Sequence, residues 1–322
     1  MHLADLPKID DVTWRMFRDG DYVALTDLLN EDFEAGGHDT FQTVDDVRTS
    51  YQREDRLDEG RDILIAEADG DVIGHVSVFT WKELAGSRIL FHAGRVTPAW
   101  KDHGIGTGML AWVQGRLAGM AGAQDTITRT VGVSPATTEF MTKNGYVVTQ
   151  HEAILVRPNL DDIPEVPLPD GIEVRPVSEA DLRMVYEAEV EHFRDHWGSS
   201  EEDSGAWESF RNDPHRDMSM WQIAFADDQV IGIVRPFIHE EENARLGRKR
   251  GYTEDISTKR DWRGKGVATA LITRALLAQR ERGMTETALS VHLENPHGAY
   301  RLYQSLGFEL HSRMDTLDLQ KA

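Results

Sequence analysis

The chain has 322 residues, 40% of them hydrophobic and 28% charged, a globular balance with length enough for two domains. Its 35 Lys and Arg against 56 Asp and Glu leave a net charge of −21, which argues against non-specific binding to nucleic acid or anionic membrane. Cysteine is absent, which excludes disulfides, thiolate nucleophiles and cysteine metal sites. No metal site is expected. The acidic start MHLADLPKIDD has no apolar signal core, and no run nears the ~18 apolar residues of a membrane helix, so a cytoplasmic protein is expected.

The first predicted element is a strand followed by a helix, VTWRMFRDGDYVALTDLLNEDF from Val12. It returns from Ile172 as IEVRPVSEADLRMVYEAEVEHF, with Arg15 matching Arg175 and Asp21 matching Asp181 at an offset of 160. Next comes a strand–turn–strand unit, IAEADGDVIGHVSVF from Ile65, repeated as IAFADDQVIGIVRPF from Ile223. Its turns are expected at Gly70-Asp71 and Asp228-Gln229. WKDHGIGTGML from Trp100 returns as WRGKGVATALI from Trp262, and KNGYVV from Lys143 as SLGFEL from Ser305, both at an offset of 162. Four blocks in the same order describe a duplicated domain. The expected division is 1–158, a proline-rich acidic linker at 159–170, and 171–322. Each copy reads as a mixed α/β, α+β-like domain, with a mostly antiparallel sheet flanked by helices.

The glycine loop RGKGVATALI, 263–272, is neither of two common phosphate loops. Walker A needs G-x-x-x-x-G-K-[ST], and here Gly266 follows Lys265. The dinucleotide fingerprint fails where Thr269 stands, and this loop follows about the fourth strand of its copy. Its setting still suits an anion. A strand at Thr253–Thr258 leads into the loop, and a helix with apolar Val267, Leu271, Ala275 and Ala278 leaves it. Glycines admit a pyrophosphate close to the backbone, and N–H groups at a helix start point at it.

The segment Arg263-Gly264-Lys265-Gly266-Val267-Ala268 resembles R/Q-x-x-G-x-G/A, the acetyl-CoA pyrophosphate motif of the GNAT (Gcn5-related) N-acetyltransferase superfamily. ENPHGAYRLYQSLGFEL, from Glu294, resembles a second signature of that family through Asn295, Leu302, Tyr303, Gly307 and Phe308. The duplication extends the likeness to two tandem GNAT domains, a layout similar to that of members such as mycothiol synthase. The resemblance implies acetyl-CoA as co-substrate. It would be held by loop backbone from Arg263 to Thr269 (Gly264, Lys265, Gly266, Val267 and Ala268 included) and by strand backbone at Ile256, Ser257 and Thr258. Asn295, with Pro296 behind it, is expected to cap a helix and to lie near the CoA arm. Tyr303 is expected as general acid for the departing thiolate. Glu254 and Asp255 are candidate bases for the amine; strand alternation would put them on opposite faces, with Glu254 preferred unless a bulge breaks the parity.

The first copy departs at these positions. Lys101 stands for Arg263, His92 for Glu254, Ala93 for Asp255 and Met141 for Tyr303, while His103-Gly104-Ile105-Gly106 keeps a glycine spacing. The expected protein is therefore an N-acetyltransferase with a catalytic C-terminal domain, a non-catalytic N-terminal one and a small, cationic amine as acceptor, working as monomer or homodimer. A non-catalytic acyl-CoA sensor and a peptide or protein N-acetyltransferase are the alternatives. The charged insertion His239–Gly251 reads either as a wall of the acceptor site or as a solvated hairpin tip.

Overall fold

The first repeat runs β1 (Thr13–Met16), α1 (Tyr22–Ala35), α2 (Val44–Tyr51), α3 (Glu59–Asp62), β2 (Ile63–Ala68), β3 (Asp71–Lys82), β4 (Arg88–Val96), α4 (Ile105–Ala118), β5 (Thr126–Gly132), α5 (Pro135–Lys143) and β6 (Tyr146–Arg157). The second runs β7 (Ile172–Val174), α6 (Leu182–His192), α7 (Ala206–Arg211), β8 (Gln222–Ala226), β9 (Gln229–Ile238), α8 (Glu240–Leu246), β10 (Arg250–Thr258), α9 (Val267–Glu281), β11 (Glu286–His292), α10 (Ala299–Ser305) and β12 (Glu309–Leu319). These elements come from a computed structural model, which describes residues 3–320 other than 36, 52–55, 121, 123, 124 and 201–204.

In each repeat the first four strands form an antiparallel meander, and the fifth joins it in parallel. The pairs are β1–β2, β2–β3, β3–β4 and then parallel β4–β5. In the second repeat they are β7–β8, β8–β9, β9–β10 and then parallel β10–β11. A parallel step needs a long crossover, and α4 and α9 supply it.

The repeated glycine of VIGHV and VIGIV marks where that helix lies on the sheet. A Cβ on Gly232 would meet Val267 at 2.7 Å and Leu271 at 2.9 Å, and one on Gly74 would meet Met109 at 2.8 Å. The helical periodicity holds, with Val267, Leu271 and Ala275 all buried in the second core. The hairpin turns fall one residue before the expected positions. Asp69 (φ 52°) and Gly70 (φ 91°) form the first, a pair of positive φ values that suits a two-residue hairpin; Asp227 (φ 54°) opens the second. The insertion from His239 folds as α8 between β9 and β10.

Two compact units result, and they are interleaved in sequence. One comprises Met1–Thr149, Ser200–Gly205 and Met314–Ala322; the other comprises Gln150–Ser199 and Ala206–Arg313. The chain changes unit inside β6 and again inside β12. In the first unit, Asp315–Asp318 of β12 pair with β5. In the second, Glu152–Arg157 of β6 pair with β11. Buried Arg129 fixes the first arrangement, reaching Asp318 at 2.8 Å and Glu83 at 2.7 Å. Arg157 fixes the second, donating to the carbonyls of Leu306 and Asp162. Segment 159–170 belongs to the second unit, where Leu160 is buried in the core and Ile163 and Leu168 pack against it.

Candidate functional site

In the second unit β10 and β11 part company. They pair in parallel only from Arg250↔Glu286 to Tyr252↔Ala288. Beyond Tyr252 the β10 strand keeps β9 on one side, as far as Thr258↔Gly232, and opens on the other. A β-bulge lies between Glu254 and Ser257, with Asp255 at φ 51°. The bulge breaks the alternation on which the sequence reading relied. Glu254 and Asp255 both line the same cavity, of about 580 Å³, together with Ile256, Ser257 and Thr258.

The glycine loop forms another wall. Gly264 (φ 73°) and Gly266 (φ 86°) take backbone conformations that side chains rarely adopt, and a Cβ on either would find nothing within 4 Å. Gly266 is the N-cap of α9 and offers no side-chain cap, so the first N–H groups of Val267, Ala268 and Thr269 have no acceptor within the helix. An open, backbone-lined helix start fits a pyrophosphate. Lys265 lies over the Trp262 ring, its ammonium 4.7 Å from the centroid.

Arg263 is turned the other way. Its Nε donates to the Thr258 carbonyl at 3.0 Å, and its terminal nitrogens reach Asp195 at 2.6 and 2.8 Å and the His192 carbonyl at 2.8 Å. It also sits 3.2 Å from Nε2 of His297. This guanidinium ties the loop to the end of α6. The motif marks Arg263 in the sequence; its partner Asp195, 68 positions away, carries no local signal.

The acids differ in their surroundings. Glu254 accepts the Ser290 N–H at 2.8 Å, and among the described residues no cation pairs with it. Burial raises its pKa well above the ordinary glutamate value, and the charges of Asp255 and Glu152 add to this. Asp255 lies 2.7 Å from Arg235, which also holds Glu189 at 2.8 Å. Burial pushes Asp255 upward too, opposed by Arg235. The side chain of Asp255 is 40% exposed, so solvent damps that rise and Glu254 is the more strongly shifted acid of the two. Glu189, sharing one guanidinium with a second carboxylate, is raised to about 8 by burial, against the pull of Arg235.

Tyr303, on α10, is buried beside Phe308 with its ring facing the cavity. Burial, then the charge of Glu254, raises the pKa of its phenol and keeps it protonated. Asn295 also lines the cavity, but it caps no helix. Its Oδ1 accepts the His297 N–H at 2.8 Å in a local turn, and α10 begins only after Gly298, at φ 73°. The expected cap is displaced because the left-handed glycine separates the Asn-Pro turn from the helix. Glu152, Ser290 and His292 complete this side of the cavity. Glu152 went unrecognised in the sequence because it arrives on β6, at the end of the other repeat.

The corresponding strands of the first unit stay paired further. The β3–β4 register runs without a bulge from Gly74↔Val96 to Lys82↔Arg88. The β4–β5 pairing continues to His92↔Thr130, two residues beyond its counterpart. His92 therefore faces inward, buried and 2.8 Å from the Tyr146 hydroxyl, and burial depresses its pKa to about 4. Gly104, not Gly106, is the match of Gly266, with φ 86° and the helix N-cap position. Asp102, at φ 66°, stands where Gly264 does, and the ring of Phe140 comes within 3.5 Å of a Cβ on Gly106.

The model of the Acetyltransferase (GNAT) family matches twice, at residues 22–146 and 182–308. The chain belongs to this family. Its two matches are tandem GNAT domains, of a family that uses acetyl-CoA. Among curated proteins it is 41% identical over 59 residues to N-alpha-acetyltransferase MAK3 of Arabidopsis thaliana, covering 18% of this chain and 30% of that one. It is 30% identical over 92 residues to N-alpha-acetyltransferase 30 of Schizosaccharomyces pombe, covering 29% and 59%. Both matches span less than two thirds of those relatives. A GCN5-related N-acetyltransferase from Sphaerobacter thermophilus shares the fold over 97% of this chain and 96% of its own, with TM-score 0.71 and 23% identity. A tandem GNAT protein from the clavulanic acid biosynthesis pathway does so over 97% and 99%, with TM-score 0.68 and 14% identity. Among the described residues no helix is long and apolar enough to cross a membrane.

Proposed function

We propose that the second unit catalyses direct transfer of an acetyl group from acetyl-CoA to the primary amine of a small cationic molecule, and that the first unit is non-catalytic. The observation that carries this reading is one cavity that joins an open glycine loop, a bulged strand with two acids, and a buried phenol. Acetyl-CoA would supply the reactive thioester. The N–H groups from Gly264 to Thr269 would bind its pyrophosphate, and Arg263 would act by bracing the loop against Asp195. The free edge of Ile256–Thr258 would pair with the pantetheine amides as an added strand does.

Glu254 would take a proton from the acceptor ammonium, a transfer favoured by its raised pKa. The new N–C bond forms as the C–S bond breaks, and Tyr303 gives its proton to the departing sulfur. The acylated nitrogen then sheds its second proton to the Tyr303 phenolate, and Glu254 returns its own proton to solvent. Asp255, held by Arg235, would fix the bulge and add negative charge on the acceptor side. With no cysteine in the chain, no acyl-thioenzyme is expected.

Calorimetric titration with acetyl-CoA tests the cofactor assignment. One site per chain is expected, abolished by Ala268→Trp, which fills the mouth of α9 without straining a left-handed glycine. Retention of that site in the variant would refute the loop assignment, and absence of any binding would refute the acetyl-CoA reading.

A further inference from the structure

Three carboxylates face the cavity on its β10–β11 side: Glu152, Glu254 and Asp255. Two of them are engaged. Asp255 has Arg235 at 2.7 Å, and Glu254 accepts the Ser290 N–H at 2.8 Å. Among the described residues, no cation or hydrogen-bond donor engages the carboxylate of Glu152, whose recorded electrostatic neighbour is Glu254.

The placement of Glu152 is set by strand register. It stands directly opposite His292 in the antiparallel β6–β11 pair. Cross-strand partners share a face, and Ser290 shares it too, two residues from His292. His292 leaves Nδ1 buried without a hydrogen-bond partner. The ring of His196, another residue of the cavity lining, stands 5.4 Å from that imidazole.

A carboxylate without a partner next to a second carboxylate is unfavourable until a cation arrives. The amine that reacts cannot be this cation, because it must lose its charge to Glu254 before it attacks. A cation that is not consumed meets that demand. We propose that Glu152 anchors a second cationic group on the acceptor, so that the enzyme selects diamines over monoamines. This rests on the acetyl-transfer reading of the same cavity. It makes Glu152, lent by the first repeat, a specificity-determining residue of the second unit.

The test uses the full chain with acetyl-CoA and a series of α,ω-diamines of three to eight carbons, each beside its monoamine, with thiol release as readout. The best diamine should exceed its monoamine by about tenfold or more in kcat/KM. Glu152→Gln should remove that preference, raising KM for the diamine by far more than KM for its monoamine, with acetyl-CoA affinity nearly unchanged; Glu152→Asp should restore part of it. Equal use of both amines by the wild-type chain, or a preference that survives Glu152→Gln, would overturn the proposal while leaving acetyl transfer standing. Absence of thiol release with every amine would overturn the transfer reading, and this proposal with it.

Discussion

Asp195 accepts both terminal nitrogens of Arg263, at 2.6 and 2.8 Å. The pair is about three-quarters buried, and the Arg263 bond holds the Asp195 carboxyl far below the usual range. Asp195→Asn should therefore loosen the loop without touching the reacting atoms. A charge-assisted bond of this kind is worth about 1.5–3 kcal/mol, and partial exposure brings that toward the lower end. About a tenfold loss of acetyl-CoA affinity is expected by calorimetry, with kcat at saturation reduced less. Arg263→Lys should do the same, since an ammonium cannot reproduce the two-pronged contact.

Tyr303→Phe removes one oxygen from a side chain whose ring is already packed. Acetyl-CoA affinity should stay within about twofold while kcat falls by about a hundredfold, the lower part of the range for proton transfer by a positioned side chain. Unchanged turnover would remove Tyr303 as the acid.

The same features show how far the sequence could be read. The loop glycines, Tyr303 and the duplication rest on local spacing, and local spacing survives into the structure. Glu254 and Asp255 were also visible, but that both line one cavity was not, because a bulge with Asp255 at φ 51° changes parity without any glycine to announce it. Asn295 kept its place and lost its expected capping role, since one left-handed residue, Gly298, shifts the helix start. Asp195, Ser290 and Glu152 could not be read, because each matters through a partner on another strand or helix. Glu152 is the extreme case: the chain enters the second unit at Gln150, only two residues before it.

The raised pKa of Glu254 has a consequence for stability. A carboxyl whose folded pKa lies above its unfolded value binds more protons folded than unfolded, so stability falls as pH rises from the unfolded value through the folded one. Glu254→Gln should abolish acetyl transfer yet melt higher than the wild type near pH 8, with the difference vanishing below about pH 4, where both states are protonated. Thermal melts across that range check it. The acid limb of wild-type kcat/KM should likewise lie above the ordinary glutamate range. A wild-type melting curve identical to that of Glu254→Gln at every pH would mean that the carboxylate is not strained in the folded state.

The exchanged strands make a prediction about fragments. Cutting at the proline-rich segment gives 159–322, which lacks β6 and leaves the β11 edge without its partner from Glu152 to Arg157. It also carries β12, whose Asp315–Asp318 belong with β5. An unpaired strand of this kind is a site for association between chains. Fragment 146–313 restores β6 and omits the part of β12 that the other unit uses. It should be soluble, melt cooperatively and bind acetyl-CoA, whereas 159–322 should aggregate or melt without a transition. Circular dichroism melts and size-exclusion chromatography of the two fragments decide it: a well-folded, monomeric 159–322 would show that β6 is dispensable to the folding of the second unit.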